Sequence, residues 1–142
     1  MAINESIERV FLDTGFVIAS SNRRDLYHRR AIELDFHLLT AREIWTTDAV
    51  LLEIAAALAR PPERSIAIDI WDMFHGGDAR YRSIEMSEPH LQQAMTLYRS
   101  RPDKAWSLTD CLSFIVMDRE GLSDALTAEL KAAVTEFKQT YR

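Results

Sequence analysis

A chain of 142 residues, 47% of them hydrophobic, is long enough to bury one sizeable core and too short for two, so a single domain is expected over residues 1–142. The net charge of −5, from 17 Lys and Arg against 22 Asp and Glu, argues against a protein that coats nucleic acid nonspecifically and leaves nucleic acid open as a substrate. No apolar run approaches the roughly 18 to 20 residues of a membrane span, MAINESIERV lacks the layout of a signal peptide, and the lone Cys111 cannot form an internal disulfide, so a soluble cytoplasmic protein is expected.

After a polar lead over residues 1–8, RVFLD (9–13) reads as a short strand that delivers Asp13 to its carboxyl end, with TGFVIASS directly behind it. From Asp25 onward Tyr27, Ala31, Leu34 and Leu38 have helical spacing, and EIWTT (43–47) reads as a second strand. DAVLLEIAAALAR (48–60) sets Val50, Leu51, Ile54 and Leu58 on one helical face, with Asp48 and the threonines before it as capping candidates and Pro61-Pro62 as its end. A helix over 65–75 stops at Gly76-Gly77, and RYRSIEM alternates as a strand. Ser87 caps a helix carrying Leu91, Ala94, Met95 and Tyr98, and after SRPDKAW a last apolar helix runs from Thr109 to Glu120, with Gly121 as its stop. Strands interleaved with helices predict an α/β domain with a central, mostly parallel sheet flanked by helices.

In open parallel sheets ligands bind at the carboxyl ends of the strands. Asp13 stands at such an end, Glu53 lies in the helix that follows EIWTT, and Asp110 opens the last apolar helix, so three acids from distant parts of the chain can converge. Carboxylates that close repel unless a cation neutralises them, and an all-oxygen set suits Mg²⁺ or Mn²⁺. Each acid also has a structural reading. Ser107 to Asp110 matches a capping box, Asp13 before Thr14 suits the cap of a short helix, and Glu53 suits a solvent-facing position. His28, His37, His75 and His90 lack zinc-site spacing, and no glycine-rich phosphate loop or G-x-S-x-G elbow is present. Basic residues gather as Arg23 with Arg24, Arg29 with Arg30, Arg80 with Arg82, and Arg99, Arg101 and Lys104. They read either as a local basic rim or as solvated surface charge.

Three segments, VFLDTGFVIA with Asp13, TTDAVLLEIAAAL with Glu53 and DKAWSLTDCLSFIVMDREG with Asp110, together resemble PIN-domain proteins of the VapC toxin type, in order and spacing over roughly residues 9–128. The resemblance implies a parallel-sheet α/β domain in which Asp13, Glu53 and Asp110 hold Mg²⁺ or Mn²⁺ and cleave RNA. It also implies the toxin half of a toxin–antitoxin pair, with a cognate antitoxin as partner and a homodimer as the usual assembly. Thr14, Ser107 and Thr109 are candidates to orient the acids. The family's fourth acid is an aspartate, and Glu129 stands in its place here. The segment over 122–142 diverges further: ALTAELKAAVTEFKQTYR keeps Leu126 and Thr127, lacks the basic, aromatic and glycine residues that follow in the family, and reads as an amphipathic helix through Leu126, Leu130, Val134 and Phe137. Two functions are therefore expected to compete: a metal-dependent endoribonuclease with Glu129 as a fourth ligand, and a catalytically impaired PIN-fold protein that acts as a binding module.

Overall fold

The computed structural model describes residues 9–21, 24, 28–29 and 41–122. Their elements in order are β1 (Arg9–Phe11), α1 (Thr14–Ser21), β2 (Glu43–Thr47), α2 (Asp48–Ala57), α3 (Pro61–His75), β3 (Tyr81–Ile84), α4 (Glu88–Ser100) and α5 (Leu108–Arg119). The strands form one parallel sheet in the order β1-β2-β3, with Val10 beside Ile44 and Thr46 beside Ser83. This is the expected α/β architecture. The helix expected from Asp25 and the amphipathic tail with Glu129 lie outside the described residues.

The strands carry apolar side chains on both faces because helices cover the sheet. Phe11, Ile44 and Trp45 are buried with Phe16, Ile54, Phe114 and Met117 in one core. Leu12 extends the ladder past β1, its N–H donating to the Trp45 carbonyl at 2.8 Å while its own carbonyl accepts from the Thr46 hydroxyl at 2.9 Å. Thr46 and Thr47 are fully buried and bonded, since the Thr47 hydroxyl accepts the Val50 N–H at 3.1 Å and caps α2. The strand thus passes into the helix with no loop between them.

Near the amino ends of β1 and β2 the Glu43 carboxylate collects two hydrogen-bond donors and a further cation. Trp45 Nε1 reaches it at 2.8 Å and Arg9 Nε at 3.3 Å, with Arg82 Nε at 3.8 Å. The Trp45 bond, helped by the Arg9 bond and the charges of Arg82 and Arg9, holds the Glu43 carboxyl below its usual range. Arg9 also donates through Nη1 to the Glu120 carbonyl at 2.9 Å, tying the first strand to the end of the last helix.

Two helix boundaries and one strand end depart from the sequence expectation. Pro61-Pro62 opens α3 as well as following α2, because proline has no N–H to lose in a first helical turn. α2 stops at Ala57, short of Arg60, with Leu58 as its C-cap. β1 stops at Phe11, and TGFVIASS forms α1. The stop at Gly121 is as read: with φ +65° it sets the Leu122 N–H on the Met117 carbonyl at 2.8 Å and its own on the Asp118 carbonyl at 3.3 Å, a Schellman ending that buries Leu122.

Candidate active site

Asp13 follows the first strand and caps α1, its Oδ1 accepting the Phe16 N–H at 3.2 Å. Thr14, the first residue of α1, donates through Oγ1 to Glu53 Oε2 at 3.4 Å. Glu53 lies midway along α2, which packs against α1. Asp13 and Glu53 therefore flank one threonine, one through the peptide chain and the other through a side-chain hydrogen bond, although 39 residues separate Thr14 from Glu53.

Asp110 sits in the first turn of α5, which packs on β2 and α2. The capping box read from the sequence is formed in both directions. The Asp110 N–H donates to Ser107 Oγ at 3.0 Å, and the Ser107 N–H donates to Asp110 Oδ2 at 2.9 Å. Cys111, beside it, is fully buried, and burial, followed by the negative charge of Asp110, pushes its thiol up to about 11.

The donor set fits a hard divalent cation in kind, since all the candidates are carboxylates. Among the described residues Glu53 and Asp110 form no ion pair with a basic side chain. In spacing the agreement is narrower: two acids meet across Thr14, and among the described residues no three Asp, Glu, His or Cys side chains are grouped to hold a metal ion. Glu129 lies outside the described residues.

Two polar clusters near the sheet were not read from the sequence. Ser83 on β3 donates to Asp48 Oδ1 at 2.6 Å, and His75 Nε2 lies 3.5 Å from the same oxygen, so the start of α2 is fastened to the neighbouring strand and to the end of α3. The second is an aromatic cluster before α5. Arg101 and Lys104 stand over the Trp106 ring at 5.5 and 5.9 Å from its centroid, and Trp106 packs edge-on against Phe114 at 5.0 Å. The grouping of Arg101 with Lys104 was visible as charge; their common aromatic partner was not.

No family model and no curated protein matches the chain. Among solved structures it is similar to that of Mycobacterium tuberculosis VapC20, described as a Sarcin-Ricin loop cleaving toxin, with a TM-score of 0.73 over 87% of this chain and 94% of that one at 23% identity. The fold is PIN-like. The likeness read from the three acidic segments is thereby borne out as a likeness of fold. In this PIN-like domain Asp13 and Asp110 each begin a helix, and Glu53 reaches the start of α1 from α2.

Proposed function

We propose that this chain is a Mg²⁺- or Mn²⁺-dependent endoribonuclease that hydrolyses RNA phosphodiester bonds as the toxin component of a toxin–antitoxin pair. The observation that carries the reading is the fold match, over 87% of the chain, to a toxin described as cleaving the Sarcin-Ricin loop. Asp13, Glu53 and Asp110 are assigned as catalytic residues and metal ligands, with Glu129 as a fourth ligand. The bound cation would lower the pKa of a water and offset charge on the phosphate. The chain's own groups restrict the acids: the Thr14 hydroxyl holds Glu53 toward the turn that carries Asp13, and the Ser107 N–H fixes one oxygen of Asp110.

The partners follow from the same reading: RNA, a cognate antitoxin and a second copy of the chain, in the cytoplasm. The exposed Ile68, Trp71 and Met73 of α3 support a protein partner, as does an apolar cavity of about 200 Å³ beside that helix, lined by Leu12, Phe16, Ile44, Ile70, Phe74 and Tyr81. Among the described residues no helix is long and apolar enough to cross a membrane.

The competing reading is a binding module with the same fold, favoured by the lack of a three-acid cluster among the described residues. Purified protein incubated with mixed RNA and Mg²⁺, Mn²⁺ or chelator, beside Asp110→Asn prepared identically, separates the two. The nuclease reading expects metal-dependent cuts that fall at least about 100-fold in the variant, with an unchanged circular dichroism spectrum. Cutting that survives chelation or the substitution overturns the site assignment. Folded wild-type protein that binds the antitoxin and leaves every RNA intact establishes the binding module instead.

A further inference from the structure

We infer that Thr46 is a positioning residue for Asp13, whose place relative to Glu53 its hydroxyl fixes through the Leu12 carbonyl. This rests on the metal-dependent nuclease reading above and adds to it a fully buried residue that acts on the acids through the backbone.

Among the described residues three polar side chains are buried, those of Thr46, Thr47 and Ser113. Two of them bond within their own stretch of chain. Thr47 caps α2 by accepting the Val50 N–H at 3.1 Å, and Ser113 donates to the Thr109 carbonyl of its own helix at 3.1 Å. Thr46 differs: its hydroxyl crosses to a segment 34 residues away and donates to the Leu12 carbonyl at 2.9 Å. That carbonyl belongs to the peptide bond joining Leu12 to Asp13. On a strand buried on both faces valine or isoleucine is the ordinary β-branched residue, so packing alone does not call for a hydroxyl here.

The bond closes a ring of contacts around Asp13. On one side Leu12 is held to β2 through both of its peptide groups, its N–H on the Trp45 carbonyl at 2.8 Å and its carbonyl on Thr46. On the other side Thr14 donates to Glu53 Oε2 at 3.4 Å. Thr46 and Glu53 belong to one continuous run of chain, β2 passing into α2, with Thr47 capping the junction. Leu12–Asp13–Thr14 is therefore tied at both ends to a single unit, and a shift of Asp13 relative to Glu53 strains one of the two ties. The Asp13 carboxylate is in turn oriented by the Phe16 N–H at 3.2 Å, so the placement of the backbone carries over to the oxygens. A small divalent cation needs its oxygens at about 2.0–2.1 Å in near-ideal geometry, which makes the spacing of two acids worth fixing.

Titration of the purified chain with Mn²⁺, followed by loss of the free ion's electron paramagnetic resonance signal, tests this without RNA. Thr46→Val should weaken Mn²⁺ binding by about tenfold, and Thr46→Ser, which keeps the hydroxyl, should stay within about threefold of the wild type. Thr46→Ala, which sets no methyl group against the Leu12 carbonyl, takes the place of Thr46→Val if that chain does not fold. Gly121→Ala separates position from stability. It strains the backbone at φ +65° beyond the far end of α5 from Asp110, and should lower the unfolding midpoint while leaving Mn²⁺ affinity unchanged. Wild-type affinity in the hydroxyl-free chain, or an equal loss in Thr46→Ser or Gly121→Ala, overturns the positioning role. Failure of both hydroxyl-free chains to fold makes Thr46 a residue of the fold alone and overturns it as well. Tight wild-type binding alongside unchanged Thr46 variants leaves the metal reading standing, whereas a folded wild-type chain that takes up no Mn²⁺ ends both.

Discussion

Asp110 is required by the helix as much as by any chemistry. Its carboxylate caps the N-terminus of α5 through Ser107, and a negative charge there is favoured by the helix dipole. Ser107→Ala should therefore lower stability by about 1 kcal/mol in chemical denaturation, and Ser107→Thr should restore most of it. That role was legible because both partners lie within four residues. The Thr14–Glu53 bond was not, because only the folded packing of α1 on α2 brings together groups 39 residues apart. At Cys111 the raised thiol pKa predicts a native chain that resists alkylation at about pH 8 and reacts only once unfolded. The thiol's upward shift to about 11 from its ordinary value of 9.0 also fixes the sign of its linkage to folding. The stability it confers is complete below pH about 9 and is lost as pH rises toward about 11.

Helix ends show most directly how far local sequence determines elements. Pro61-Pro62 signals a break, and sequence alone does not say whether the break ends one helix or begins another; here it does both, with Arg60 as the N-cap of α3. Asp13 was equally ambiguous between the last residue of a strand and a helix cap, and the apolar run behind it suits either a buried strand or a buried helix. The structure resolves the run as α1, which buries Phe16, Val17 and Ala19. Glycines are less ambiguous. A Cβ on Gly76 would lie 2.7 Å from the Asp72 carbonyl oxygen, so Gly76→Ala should force the end of α3 to shift, at a cost of about 1–3 kcal/mol in urea unfolding. Gly121→Ala meets open space and suffers only the left-handed backbone at φ +65°, about 1–2 kcal/mol by the same measurement.

Across the whole molecule, the alternation of strands and helices announced a parallel α/β sheet, and the acidic segments announced the PIN-like fold that the structural comparison shows. The arrangement of charge was less legible, since pairing depends on surfaces that only the fold brings together. Asp103 is the exception, with its partner two residues away in the same loop: hydrogen bonds from Arg101, ahead of all other influences, bring its carboxyl down to about 2. A depressed carboxyl stabilises the folded chain above its unfolded value of 3.8 and loses that contribution as pH falls toward about 2, so Asp103→Asn should flatten this part of an acid-unfolding profile. The group is fully exposed, and high salt should shrink the difference between the two profiles.

The bond from Arg9 to the Glu120 carbonyl spans 111 residues of sequence. The strand β1 thus acquires one of its partners only when the last described helix has been synthesised, and Asp110 likewise follows Asp13 and Glu53 late in the chain. A nascent chain halted before α5 holds at most a partial set of acids. The last of the three acids is in this way added only after all three strands of the sheet have been made.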